Sequence, residues 1–478
     1  MRPAANTRAA PRPPSPARAA AVRVLQRVAS DESFADAALE ADIAARQLTP
    51  RDAALATELV YGTLRWQRYL DWIVAPHSRL RLESLDTRVL VVLRITAYQL
   101  VFLERIPPFA AVSDAVSLAK ARGKPGTAEF VNGVLRSFSR RGAREREPRA
   151  PDDPVEALAL RLSFPTWLAA RWIERYGADE AAALMRAMNE RPPMTVRANT
   201  LRTTGEALAE RLARDEGLGV TPARHAPEGL IVTHGGAPAA WSAFLDGAFA
   251  VQDEASMLVA RLLEAGPGEV VADVCAAPGT KTTHLAQLME DRGRVLAFDP
   301  QPARLTRVRE AAARLGATIV ETREGRVEAL APEFASFCDG VLVDAPCSNL
   351  GVLRRNPEVK WRRRAADLGR NAVRQGEILL AAATMVKPGG RLVYATCSPE
   401  PDENETVLQA FLAARPEFVL DPPRTFPLPL DADGILRCRP HRHGTDAFTA
   451  VRLRNAVACD ARGGTRDEAS PASTETSR

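Results

Sequence analysis

Between Arg18 and about Gly142, apolar residues recur at intervals of three and four, as in Ala21, Val24, Leu25 and Val28. That spacing predicts helices that each bury one face. Leu90, Val91, Leu93, Ile95, Tyr98 and Leu100 to Leu103 form a nearly all-apolar run, as expected for a helix at the centre of a bundle. Ser30, Asp31 and Asp36 predict a turn before a second helix. The pattern lapses from Arg140 to Asp153, a charged, proline-containing stretch that reads as a linker. A helical stretch, Pro165 to Arg191, comes next. It leads to a strand at Met194 to Ala198, a helix at Thr204 to Glu216 and a short strand at Gly229 to Val232, together a small α+β module.

From about Asp246 strands and helices alternate. Strands are predicted at Val270 to Val274, Arg294 to Phe298, Ala317 to Val320, Gly340 to Val343, Arg391 to Ala395 and Phe448 to Leu453. Between them lie helices from Gly279 through Met289, from Pro302 to Leu315 and from about Ala365 to Val386. The last is expected to stop at Lys387-Pro388-Gly389-Gly390. This alternation predicts an α/β fold: an open, mostly parallel sheet with helices on both faces, binding its ligand at the carboxyl ends of the strands.

Composition narrows the class. The chain has 478 residues, 46% hydrophobic and 26% charged, which suits several soluble globular domains. No apolar run is long enough to span a bilayer, so no membrane role is expected. The net charge of +5 is compatible with a nucleic-acid partner but equally with a solvated basic surface. Nearly all of the positive charge is arginine, the only lysines being Lys120, Lys124, Lys281, Lys360 and Lys387. The opening thirty residues lack acids, like a transit peptide, but the prolines between Pro11 and Pro16 oppose an amphipathic helix, and a disordered basic arm is expected. The six cysteines, Cys275, Cys338, Cys347, Cys397, Cys438 and Cys459, include no CxxC pair. Neither a disulfide framework nor a metal site is expected, and the cytoplasm is the expected compartment.

Chemistry concentrates at the predicted strand ends. Asp273-Val274-Cys275-Ala276-Ala277-Pro278-Gly279-Thr280-Lys281-Thr282 forms a strand–turn–helix corner. Its small residues admit a ligand close to the backbone, and a helix start offers N–H groups to an anion. It is not a phosphate-binding P-loop, because Thr280 stands directly before Lys281 where that motif needs glycine, and Cys275 stands at the earlier glycine position. Asp299, at the end of the next strand, could accept hydrogen bonds from ribose hydroxyls or cap a helix. Glu324, in Arg323-Glu324-Gly325-Arg326, could bind an adenine amino group or be a surface acid.

Two further strands end in Asp344-Ala345-Pro346-Cys347-Ser348 and Thr396-Cys397-Ser398. A lone buried cysteine is usually a small hydrophobe. A pair at matching strand ends suits nucleophilic catalysis on a pyrimidine: a thiolate adds to carbon 6 and makes carbon 5 able to take a methyl group from a sulfonium. Such a thiol needs positive charge nearby, with Lys360, Arg354 and Arg355 as candidates.

Taken together these segments resemble the RsmB (Sun or Fmu) family of bacterial 16S ribosomal RNA cytosine-5 methyltransferases. The resemblance rests on the Cys275–Lys281 loop, on Asp344–Ser348 with Arg354-Arg355-Asn356-Pro357-Glu358-Val359-Lys360-Trp361 after it, and on Tyr394-Ala395-Thr396-Cys397-Ser398. The helical front resembles a NusB-type RNA-binding domain through Gly62-Thr63-Leu64-Arg65, Arg105-Ile106-Pro107 and Phe130-Val131-Asn132-Gly133-Val134-Leu135-Arg136. Val196-Arg197-Ala198-Asn199-Thr200-Leu201 resembles the family's small RNA-contacting module.

The implied organisation is a basic arm (1–17), a NusB-like domain (18–142), a linker (143–157), the small module (158–245), a Rossmann-like methyltransferase domain (246–457) and a disordered tail (458–478). The resemblance further implies S-adenosylmethionine as cofactor and 16S ribosomal RNA as partner, in a monomer. It implies that Cys275, Ala276, Ala277, Pro278, Gly279, Thr280, Lys281, Asp299, Glu324 and Asp344 line the cofactor and cytosine site. Cys397 would be the covalent nucleophile and Cys347 would help release the product. The family pattern has Asp where this chain has the longer Glu324. A DNA cytosine-5 methyltransferase would instead use the cysteine after proline, Cys347, and would leave Cys397 and the helical front unexplained. A non-catalytic RNA-binding factor would need neither the cysteine pair nor the complete loop.

Overall fold

A computed structural model of the chain describes residues 14–30, 33–121, 124–140, 147–233 and 235–457. The expected tail lies outside the described residues, as does most of the expected arm; the first helix, Pro16–Ser30, already begins within the arm's last residues. Asp31 of the expected turn also lies outside them.

The front region is helical. Helices Pro16–Ser30, Ala35–Arg46, Pro50–Val74, Thr87–Phe102, Pro108–Lys120 and Thr127–Ser139 share one core that includes Leu59, Val60, Leu93, Ile95, Leu135 and Phe138. Helix Thr87–Phe102 starts where the Asp86 carboxylate accepts the Arg88 N–H, and it buries Val91 through Leu93 and Ile95 through Gln99, as its all-apolar run requires. Helix Pro50–Val74 is kinked at Trp66, whose φ of −107° and ψ of 15° leave the helical range.

The helical stretch after the linker resolves into Pro154–Arg161, Thr166–Tyr176 and Ala178–Asn189. Asp153 caps the first by accepting the Glu156 N–H, with Pro154 leading the helix, so regular structure begins inside the stretch read as linker. A four-stranded antiparallel sheet follows, built from β1 (Met194–Ala198), β2 (Gly219–Pro222), β3 (Gly229–Thr233) and β4 (Phe249–Val251) in the order β2-β3-β1-β4. β4 comes after residue 245, where the sequence pattern closed the small module.

The second sheet carries β5 (Val270–Asp273), β6 (Arg294–Asp299), β7 (Val320–Glu324), β8 (Cys338–Asp344), β9 (Val386–Thr396), β10 (Phe418–Leu420), β11 (Leu436–Arg437) and β12 (Thr449–Asn455). Its order is β10-β12-β9-β8-β5-β6-β7, with β11 paired to β12. The pairs among β5 to β9 are parallel, and β12 runs antiparallel to β9.

Two expected boundaries shift. The third strand begins at Val320, not Ala317, because Thr318 and Ile319 donate their N–H groups to the Asp291 carboxylate before pairing starts. The segment Lys387–Gly390 is not a break between helix and strand. The helix ends at Thr384, and these residues form an irregularity inside β9, where Cys338 pairs with Val386 but Gly340 pairs with Arg391.

Sheet order locates the site. The chain steps outward from β5 to β6 to β7, then returns to place β8 on the other side of β5. The crevice outside the carboxyl ends at such a reversal is where open α/β sheets bind ligands.

Candidate active site

Five adjacent parallel strands end in a row of candidate residues: Glu324 on β7, Asp299 on β6, Asp273 on β5, Asp344 on β8 and Thr396 on β9 with Cys397 directly after it. Parallel register explains why the two cysteines meet. Asp344 lies opposite Ala395, and the Ala345 N–H continues the pairing to the Ala395 carbonyl. Cys347 and Cys397 therefore leave their strands side by side, with their Sγ atoms 3.1 Å apart.

Asn349 sits under both thiols. Its Oδ1 lies 3.0 Å from Cys397 Sγ and 3.5 Å from Cys347 Sγ, and its φ of 62° is one that asparagine tolerates better than most residues. Gly351 lets the two loops close on each other: a Cβ there would come within 2.1 Å of the Ala447 carbonyl oxygen and 2.7 Å of that of Cys397. Glu403, fully buried, accepts from the Ser348 N–H at 2.7 Å, the Ser348 hydroxyl at 2.5 Å, Asn371 at 2.8 Å and Gln375 at 3.2 Å. The carboxylate just beyond Cys397 thus holds the loop of Cys347. Sequence reasoning missed Asn349 and Glu403; the acids following Cys397 were the only signal.

The cation beside the thiols is Lys281, not the candidates named from sequence. Its Nζ donates to Asp344 Oδ2 at 2.7 Å and lies 5.0 Å from the centre of the Phe448 ring. Burial works against its charge, but Asp344 holds its pKa above the ordinary lysine value. Lys360 is buried elsewhere, donating to the Arg65 carbonyl and Asn189 Oδ1, and burial pushes its pKa well below the ordinary value. Arg354 donates to the carbonyls of Gly444 and Thr445, and Arg355 pairs with Asp446 and Asp253. Arg354 and Arg355 are thus engaged by partners within the same domain, and Lys360 is carried into the front domain and the helical pair before the small module. The hydrogen bond with Cys347, burial and nearby Asp344 push the Cys397 thiol well above its ordinary value, with Lys281 opposing them.

The loop Cys275–Lys281 crosses the ends of β5 and β6. Gly279 begins helix Thr280–Leu288 at a φ of 104°, and a Cβ there would meet Val308 Cα at 3.1 Å. Asp273 receives the Thr282 hydroxyl at 2.7 Å, and burial raises its carboxyl pKa to about 6. Burial, with Asp273, Asp344 and Asp299 nearby, also raises the Cys275 thiol well above its ordinary value. Asp299 is buried. One oxygen accepts the Gln301 N–H at 2.9 Å and the other lies 3.2 Å from Arg304 Nη1, but the cap of helix Pro302–Leu315 is Gln301 and no side chain caps it, so Asp299 is not the helix cap weighed from sequence. Glu324 is exposed, one strand over and directly opposite Asp299.

Behind helix Thr280–Leu288 lies the small module. Arg197 of β1 is 1% exposed and donates to Gln287 at 3.1 Å, the Thr280 carbonyl at 2.7 Å and the Thr283 hydroxyl at 3.1 Å. Next to it, Glu228 meets Arg261 and the fully buried His284. Burial, aided by Arg197, lowers the His284 pKa to about 4.

A parallel sheet of this order, closed by an antiparallel strand and lined at its carboxyl edge by a small-residue loop and acids, defines a Rossmann-like methyltransferase fold. Comparison with known proteins agrees. Residues 260–454 match the family "16S rRNA methyltransferase RsmB/F", residues 15–140 the NusB family and residues 164–237 the ferredoxin-like domain of RsmF/B-like methyltransferases. The chain is 37% identical over 441 residues to the probable ribosomal RNA small subunit methyltransferase B of Bacillus subtilis, covering 91% of this chain and 97% of the relative. It is 35% identical over 404 residues to the ribosomal RNA small subunit methyltransferase B of Pseudomonas putida, covering 84% and 89%. The crystal structure of PH0851 matches with a TM-score of 0.79 and 30% identity, over 92% of this chain and 98% of that one. A methyltransferase homolog protein from Pyrococcus horikoshii matches with a TM-score of 0.56 and 30% identity, over 64% and 100%. The chain belongs to the RsmB/F family of S-adenosylmethionine-dependent small-subunit ribosomal RNA methyltransferases.

The crevice suits such a nucleoside cofactor. A carboxylate offers about four acceptor sites, and the two contacts of Asp299 leave capacity for ribose hydroxyls. Among the described residues no group of three or more His, Cys, Asp or Glu could hold a metal ion, and no helix is long and apolar enough to cross a membrane.

Proposed function

We propose that the protein methylates carbon 5 of a cytosine in 16S ribosomal RNA, in the cytoplasm, through a covalent bond between Cys397 and carbon 6 of the base. The observation that carries this reading is the pair of sulfurs 3.1 Å apart at adjacent strand ends, beside the Lys281–Asp344 ion pair. Bound S-adenosylmethionine supplies an electrophilic methyl group. Asp299 is assigned to its ribose, Glu324 to its adenine and Cys275–Lys281 to the remainder.

The chain's own residues do the rest. The Cys397 thiol is held well above its ordinary value, so it must pass its proton to a base as the S–C6 bond forms. The electron pair of the C5=C6 bond moves toward carbon 5, which takes the methyl group. We assign Asp344 and Lys281 to the polar edge of the ring, where charge builds up. A base then removes the carbon 5 proton, the C5=C6 bond re-forms and the S–C6 bond breaks. Cys347, in contact with Cys397 and sharing Asn349 with it, is assigned to that release.

Trapping of protein–RNA adducts tests the assignment. Cys397→Ser should abolish methylation and give no adduct. Cys347→Ser should attack and methylate but stall, accumulating a denaturation-resistant complex that depends on cofactor. The reverse pattern would favour the mechanism of DNA cytosine methyltransferases, with Cys347 as nucleophile. A methylated nucleoside other than 5-methylcytidine in the digested product would overturn the reading of the base.

A further inference from the structure

The segment that follows Cys347 does not return to the crevice. Leu350, Leu353 and Val359 enter the core of the helical pair Thr166–Tyr176 and Ala178–Asn189, alongside Phe164, Leu168 and Met185. Beyond them the chain reaches the front domain at the kink of helix Pro50–Val74. At this kink the Leu64 and Arg65 carbonyls accept from Trp361 Nε1 at 2.7 Å and Lys360 Nζ at 2.8 Å, respectively. The Arg68 and Tyr69 N–H groups donate to the Ser163 hydroxyl at 3.0 and 3.3 Å. The kink therefore presents two acceptors to one segment and two donors to another.

Further ties close the joint. Arg65 donates to the Arg354 carbonyl at 3.0 Å, Glu358 accepts the Ala35 N–H at 2.9 Å, and Arg362 donates to the carbonyls of Val28 and Ser33. Lys360 also donates to Asn189 Oδ1 at 3.0 Å and lies 4.2 Å from the centre of the Phe164 ring. The path back to the thiols is short, because Arg363 donates to the Ser348 carbonyl at 2.8 Å, next to Cys347.

We propose that the kinked front-domain helix is a socket for Lys360 and Trp361, and that through this socket the front domain sets the position of the Cys347 loop and hence the rate of product release and of turnover. Lys360 and Trp361 are positioning residues, acting on Cys347 through Arg363 and Ser348. A front domain that supplied only RNA affinity would need no buried side chains reaching into it from the segment that follows the Cys347 loop. The proposal rests on the reading of Cys347 and Cys397 as the reacting pair.

The test uses the full chain carrying Lys360→Met, which keeps the length of the side chain but removes the donor, or Trp361→Phe, which keeps a ring and removes the N–H. Turnover is counted as labelled methyl groups transferred from S-adenosylmethionine to small-subunit ribosomal RNA, whichever base receives them. Displacement of catalytic groups predicts a roughly tenfold or greater fall in kcat, with the RNA KM and cofactor Kd within about twofold of the parent. Cys347 should also alkylate faster with iodoacetamide, read by mass spectrometry, as its loop loosens. Trp361→Phe should follow the same pattern to a smaller degree and stands alone if Lys360→Met does not fold. A loss confined to the RNA KM, or unchanged kcat and alkylation in both folded variants, would overturn the proposal. Full turnover by Cys397→Ser would instead overturn the underlying reading of the cysteine pair, so the two failures are distinguishable.

Discussion

The cysteine end and the cofactor end of the sheet's carboxyl edge are held by different means. At the cysteine end the loops of Cys347 and Cys397 are tied to each other through Asn349, Gly351, Ser348 and Glu403. They are tied outward as well: Trp172 donates to Glu400 at 2.8 Å, and Lys360 and Trp361 reach the front domain. At the cofactor end, Asp299 keeps acceptor capacity and Glu324 is exposed. The small module supports that end from behind, through Arg197 on helix Thr280–Leu288. The covalent step proposed for the cysteine end would gain from fixed loops. A site that admits and releases a ligand gains from open acceptors.

The comparison can be tested from its strongest point downward. Glu403→Leu leaves the Ser348 N–H, Asn371 and Gln375 without their buried acceptor, and should cost on the order of 3–5 kcal/mol of stability. Chemical denaturation should show the loss. A change under about 1 kcal/mol would mean that the loop is held by other contacts.

The support behind the cofactor end should respond to acid. His284 has a folded pKa of about 4 against 6.5 for the free side chain, so the unfolded chain binds more protons between these values. Stability should therefore fall as pH drops from about 6.5 towards 4, by on the order of 2 kcal/mol from this residue. Denaturation of wild type and His284→Gln over that range should show a shallower slope in the variant. Parallel slopes would remove His284 from the account.

Asp299→Ala should weaken S-adenosylmethionine binding about tenfold, from a loss of roughly 1–3 kcal/mol for a polar ligand group left unpaired. Calorimetry on the folded variant measures it, and an unchanged affinity would move the ribose contact elsewhere. Glu324→Asp is expected to have the smallest effect, within about twofold in cofactor affinity, because an exposed acid gains little from its exact length. A large loss there would show a cofactor end as closely fitted as the cysteine end.

Long, strongly patterned elements were legible in the chain. The buried strand Arg294–Asp299 and the helices Pro302–Leu315 and Thr87–Phe102 follow directly from their apolar spacing. Short edge strands were not, as with β2, β10 and β11, which span two to four residues and have too few positions to display a period. The break of the stretch from Pro165 to Arg191 at Gly177 was likewise read through, since apolar residues continue on both sides of it.

What the sequence determined by itself was therefore the kind of element at most positions, the α/β order of the second half and the family, because periodicity and contiguous motifs are local properties. It also marked Cys347 and Cys397 as strand-end residues. Only the tertiary structure decided that these sulfurs lie 3.1 Å apart, since that distance depends on β8 and β9 being neighbours in parallel register. The same holds for the cation at the site. Lys281 and Lys360 are both basic residues in motifs, and nothing local separates them. One ends against Asp344 in the crevice; the other ends against a helix carbonyl of the front domain, 295 residues away in the chain. Long-range pairing sets both environments, and a burial-driven pKa follows from environment, not from residue type.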